Sequence, residues 1–99
     1  MKPTAADIAT AIAMIAAGDW IDPSEVQAEF GCRLYDPAGR FACDGHGHTA
    51  GQAMAMAWIG WNDNDALCRG YVEVDWVPAE VPDEWRFELV KRPPIGSTW

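Results

Sequence analysis

FACDGHGHTAGQAMAMAWIGW, residues 41–61, decides how this chain folds. Phe41, Ala42 and Cys43 read as the end of a strand, and Thr49 with Gln52 three residues later reads as a capping box that opens a helix from Ala50 to about Trp61. Ala50, Ala53, Met54, Ala57, Trp58 and Trp61 gather on one side of that helix. Met56 and Ile59 lie opposite, and the only strongly polar residue is Gln52, so the helix is apolar nearly all round. Such a helix is either covered on two sides or part of an interface, and Met56 and Ile59 are its candidate self-association surface. Between strand and helix, Asp44, His46 and His48 stand beside Cys43 and bring metal-ligand atoms close together. Gly45 and Gly47 weaken a strand there and suit a tight corner into Thr49, and no distant ligand pair completes a zinc site. The expectation is a structural corner with no metal and no cofactor.

Upstream, Cys32 to Cys43 reads as a hairpin around Asp36, Pro37, Ala38 and Gly39. A three-residue loop with a glycine bulge would pair Asp36 with Arg40; a four-residue loop would pair Tyr35 with Arg40. Only the second places Cys32, Leu34, Phe41 and Cys43 on one face, and burial favours it, with Cys32 facing Cys43. Asp22, Pro23 and Glu25 start a short helix as readily as Val26, Ala28 and Phe30 start a strand. Nearer the N-terminus, Thr4 and Asp7 open a helix over Ala5 to Ala17 whose stripe is Ile8, Ile12 and Ile15 with Ala5, Ala9 and Ala16. This helix is expected to lie on a sheet. Pro3 and Asp7 interrupt any leader-like pattern in the same stretch.

Downstream, Val72, Val74 and Trp76 alternate with Glu73 and Asp75, and Trp85, Phe87 and Leu89 alternate with Glu84, Arg86 and Glu88. Two strands joined through Pro78 to Asp83 follow from that pattern. The order helix, hairpin, helix, hairpin predicts a single α+β domain over residues 1–99, with a four-stranded antiparallel sheet and both helices packed on one face.

Fifteen acidic against seven basic residues give a formal charge of -8, which disfavours nucleic acid and anionic membrane and favours basic partners. Glu73, Asp75, Glu84 and Glu88, extended by Glu80 and Asp83, would form an acidic sheet face, with an exposed Trp or Tyr nearby, for instance Tyr71 or Tyr35, as an aromatic anchor. Cys32, Cys43 and Cys68 form an odd set without a C-x-x-C pair, so reduced thiols and a cytoplasmic setting are expected. No run is apolar and long enough to span a membrane. A Cys/His pair lacks an orienting third group, and a binding protein rather than an enzyme is expected.

Thr4 to Ile15, a hairpin, then Gly47, His48, Thr49 and an alanine-rich helix ending in Trp resemble small phage proteins of an ABA-sandwich type. A small, acidic, Trp-bearing domain without a catalytic set also resembles anti-CRISPR proteins. That resemblance implies a stoichiometric inhibitor, in the cytoplasm of a bacterial host, binding a basic surface of a CRISPR surveillance-complex subunit; it carries over no residue, and the contact expected from the chain's own pattern is the acidic face of Glu73, Asp75, Glu84 and Glu88. The alternatives are an accessory phage protein that forms a homodimer through Met56 and Ile59, and a small metal-binding protein at His46 and His48.

Overall fold

A computed structural model describes residues 1–18, 29–63 and 77–91. In chain order it contains α1 (Ala5–Ala16), β1 (Phe30–Tyr35), β2 (Phe41–Gly47), α2 (Ala50–Asn62) and β3 (Arg86–Lys91). The class is α+β, but the expected four-stranded sheet is corrected: among the described residues the sheet has three antiparallel strands in the order β2-β1-β3. β1 takes the centre because β3 pairs along its whole length, from Phe30 opposite Lys91 to Tyr35 opposite Arg86. Among the described residues the helix–hairpin–helix–hairpin plan therefore gives way to one hairpin joined by a distant strand. The expected strand Val72 to Trp76 and the segment Asp22 to Ala28 lie outside the described residues.

The helices do not lie side by side on the sheet. α2 packs on β2 and β1, and α1 packs on α2. The chain thus stacks as sheet, α2, α1. A methyl group at Gly45 would meet the backbone of Ala53 and Ala57, and one at Gly60 would meet Cys43 Sγ at 2.7 Å, so α2 runs antiparallel to β2. On another side, Gly51 lies under the Asp7 carboxylate, and Gln52 Nε2 donates to Met14 Sδ at 3.3 Å. On a third side Trp58 Nε1 donates to the Pro78 carbonyl at 2.9 Å. Every residue from Ala53 to Gly60 is buried. Three neighbours surround α2, which is why its sequence shows almost no polar face.

Met56 and Ile59 are 4% and 0% exposed. Met56 shares the turn spacing of the sheet-facing Ala53 and Gly60, and Ile59 that of Gln52 and Ala55 towards α1. Both belong to the core of this chain, so neither offers a second copy a surface.

α1 opens on a complete capping box: Thr4 Oγ1 accepts from the Asp7 amide at 3.1 Å, and Asp7 Oδ2 accepts from the Thr4 amide at 2.9 Å. Its buried line is Ile8, Ala11 and Ile15, with Ala5, Ala9 and Ala16 exposed, a rotation away from the expected stripe because its partner is a helix rather than a sheet. At the start of α2, Thr49 Oγ1 accepts from the Gln52 amide at 3.1 Å, but the Gln52 side chain reaches past Thr49 to the His48 amide at 2.9 Å. The second box is therefore only half of one.

The hairpin register is a second correction. Asp36 Oδ1 accepts from the amides of Ala38 and Arg40, both at 2.9 Å, and the Asp36 amide donates to the Arg40 carbonyl at 2.9 Å. Gly39 sits at φ +82°, where a β-carbon is disfavoured. The three-residue loop wins because one carboxylate satisfies its amides. Tyr35 then pairs with Phe41, but Leu34 pairs with Cys43, so Ala42 is an extra residue that bulges β2. Beyond the bulge, Cys43, Gly45 and Gly47 face α2 with Leu34, Cys32 and Phe30. Phe41 is turned to the opposite face beside Tyr35. Cys32 stands opposite Gly45, not Cys43, and both thiols are free.

Candidate functional site

The antiparallel run of α2 against β2 brings the C-terminal turn of α2, the start of β2, the end of β1 and the start of β3 to one end of the molecule. Aromatic side chains collect there. Trp58, 3% exposed, meets Trp85 edge-on at 5.4 Å, and Trp85 meets Trp61 at 5.6 Å with the rings tilted by 51°. The next residue, Arg86, lays its guanidinium over the Tyr35 ring at 4.2 Å, and Tyr35 meets Phe41 edge-on at 6.2 Å. Trp61 is 48% exposed and Phe41 58%; apart from Met1 they are the exposed large hydrophobic residues of the described chain. The result is a band in two halves, Trp61–Trp85 and Arg86–Tyr35–Phe41, joined by the chain link from Trp85 to Arg86 at the sheet end.

Charge is unevenly distributed around this band. On the outer sheet face Glu88 accepts from Arg33 at 3.4 Å and lies 3.6 Å from Arg86. Arg40 pairs with Asp36 at 3.1 Å, a contact that, with the Arg40 amide first, holds the Asp36 carboxyl below the usual carboxylate range. Two guanidinium groups thus share one carboxylate, and the Glu88 side of the band is not acidic. Residues 77–85 differ: Glu80, Asp83 and Glu84 are exposed, and among the described residues Lys2 lies 2.7 Å from Asp83 and donates to the Val81 carbonyl at 2.8 Å. Lys2 holds the Asp83 carboxyl below its ordinary range.

Of the residues singled out from the sequence, Glu84 borders Trp85 at the acidic side and Glu88 is held between arginines on the outer face. Tyr71, Glu73 and Asp75 lie outside the described residues. The band itself was not foreseen. Phe41 read as core because the bulge at Ala42 leaves no mark in the hydrophobic alternation, and Trp85 read as a buried strand residue although β3 begins after it.

Asp44 Oδ2 and His46 Nε2 are 4.0 Å apart, and among the described residues no group of three or more His, Cys, Asp or Glu side chains is placed to hold a metal ion. Burial pushes the Cys32 thiol up to about 12 and raises that of Cys43, so neither is a ready thiolate. Because the folded values lie above the unfolded value of about 8.5, each thiol supports the fold fully below that pH. The support is lost as pH rises towards the folded value. In a C68S background, a thiol reagent at neutral pH should label buried Cys32 only as fast as the chain opens and half-buried Cys43 faster, and C32A should flatten the alkaline loss of stability in denaturant titrations. Rapid labelling of Cys32 in the folded protein would contradict this. An open apolar groove of about 300 Å³ runs along α1, lined by Ile8, Ile12, Val77 and four alanines, with no polar side chain to orient a ligand.

No family model, curated protein or solved structure matches this chain. Function has to be read from its own residues. No helix among the described residues is long and apolar enough to cross a membrane.

Proposed function

We propose that this chain is a protein-binding module that presents the Trp61–Phe41 end of its sheet to a basic partner. The observation that carries the reading is the band itself: two exposed large aromatics, Trp61 packed on Trp85 and Phe41 packed on Tyr35 under a stacked arginine, the two groups joined by the chain link Trp85–Arg86. Tryptophan, tyrosine and arginine are the residue types that dominate binding energy at protein interfaces. A net charge of -8 speeds encounter with a basic surface and repels acidic ones. The narrower form of the proposal is a phage-encoded inhibitor that occupies a basic groove of a CRISPR surveillance-complex subunit. Small size, acidity and the aromatic surplus support it.

The test is capture from bacterial lysate at low and high salt by the native chain and by the F41A/W61A double variant, with circular dichroism to verify the variant's fold. A partner held stoichiometrically by the native chain, weakened by salt and released by the double variant is the expected result. Equal capture by both chains would reject the band as the contact. For the narrower form, cells carrying an active CRISPR system should lose immunity to phage when the chain is expressed; intact immunity would remove that form and leave the broader one standing.

A further inference from the structure

We infer that the Trp61–Trp85 half of the band is a seat for an arginine side chain of the partner, with the carboxylates of residues 77–85 as its counter-charge. The inference rests on the protein-binding reading and assigns the chemistry of the group bound. Trp61 is half exposed and tilted at 51° against Trp85, so the pair presents indole surface to solvent rather than closing on itself. The segment leading into Trp85 carries Glu80, Asp83 and Glu84 against Lys2, a local excess of negative charge. Among the described residues neither Glu80 nor Glu84 forms an ion pair. The other half of the band is different, because there Arg33 and Arg86 balance Glu88 and Asp44, which stands opposite Arg33.

A cation is thus drawn to the tryptophan half. Indole faces attract cations, and a planar guanidinium stacks on them while donating in its own plane to a carboxylate. An ammonium has the same charge but is more strongly hydrated and cannot stack. The chain already uses this arrangement internally: Arg86 lies 4.2 Å over the Tyr35 ring while its guanidinium edge approaches Glu88 at 3.6 Å. At Trp61 and Trp85 the ring surface is in place and Glu84 is the chain neighbour of Trp85, with the arginine still to be supplied.

Capped hexa-arginine and hexa-lysine peptides carry equal charge and separate stacking from simple attraction. Titrated into the intact chain at physiological salt, with the indole N–H resonances followed by NMR, hexa-arginine should bind about tenfold tighter and shift the Trp61 signal first. W61A should abolish the preference and leave only the weak binding shared with hexa-lysine; E84Q should weaken it in part. In the unmodified chain, free arginine amide should displace hexa-arginine more effectively than lysine amide. Equal affinity for the two peptides, or shifts that spare Trp61, would overturn the assignment. If the lysate partner still requires Trp61 and Phe41 in that event, only the arginine seat fails; if it does not, the protein-binding reading falls with it.

Discussion

Replacing Gly45 by alanine should destabilise the protein by about 3 kcal/mol or more, at the upper end of what overpacking costs. The added methyl would be driven into the Ala53 carbonyl and the Ala57 amide of α2, and both contacts are backbone. No rotamer change relieves them; either the helix lifts off β2 or the strand bends, and in both cases the packing of Ala53, Ala57 and Cys32 is lost. Chemical denaturation of G45A beside G60A separates this from a general intolerance of larger residues. At Gly60 the obstacle is the Cys43 sulfur at 2.7 Å, the end of a side chain that can turn away. G60A should therefore cost clearly less, and much of its cost should disappear in the C43A background. A G45A protein as stable as the native chain would show that α2 does not ride on β2 at the height described.

Trp58 should show the other large effect. It is 3% exposed, supplies the edge that Trp85 packs against, and is hydrogen-bonded to the Pro78 carbonyl at 2.9 Å. W58A is expected to lose about 3–5 kcal/mol, the range for deleting a large aromatic from a core. W58F keeps much of the ring volume but gives up the hydrogen bond, at a cost of about 1 kcal/mol. The two variants also separate stability from binding. W58F should leave the Trp61 and Phe41 surfaces in place and retain the lysate partner, whereas W61A should lose the partner with little change in the denaturation midpoint. If W61A proved as destabilising as W58A, Trp61 would be a core residue and the proposed contact surface would be wrong.

Local chemistry was legible in the sequence wherever it is decided by neighbours. Thr4 with Asp7 and Thr49 with Gln52 place both helix starts, and Asp36 with Gly39 places the turn. What could not be read is which element covers which. The apolar circumference of α2 pointed to cover on two sides or to an interface, and the spacing of Met56 and Ile59 cannot say that the cover comes from the sheet and α1 of the same chain. Register failed for a related reason. Alternation specifies faces, and a single extra residue at Ala42 keeps Cys43 inward while sending Phe41 outward, so the exposed half of the aromatic band was hidden in a pattern that looked like core. The pairing of β3 with β1 depends on contacts more than fifty residues apart in sequence.

The placement of α2 at the middle of the stack also sets how the protein opens. Its flanking layers, the sheet and α1, each touch α2, and no described part of the core forms without it. Local fluctuations can release the chain ends or the 36–40 turn, but exposing the amides from Ala53 to Gly60 requires the sheet, α1 and the Trp58–Pro78 contact to separate together. These amides should therefore exchange with solvent deuterium only through global unfolding, and their protection should equal the full stability of the fold. The helix is the clasp of one cooperative unit, since the described residues share a single core.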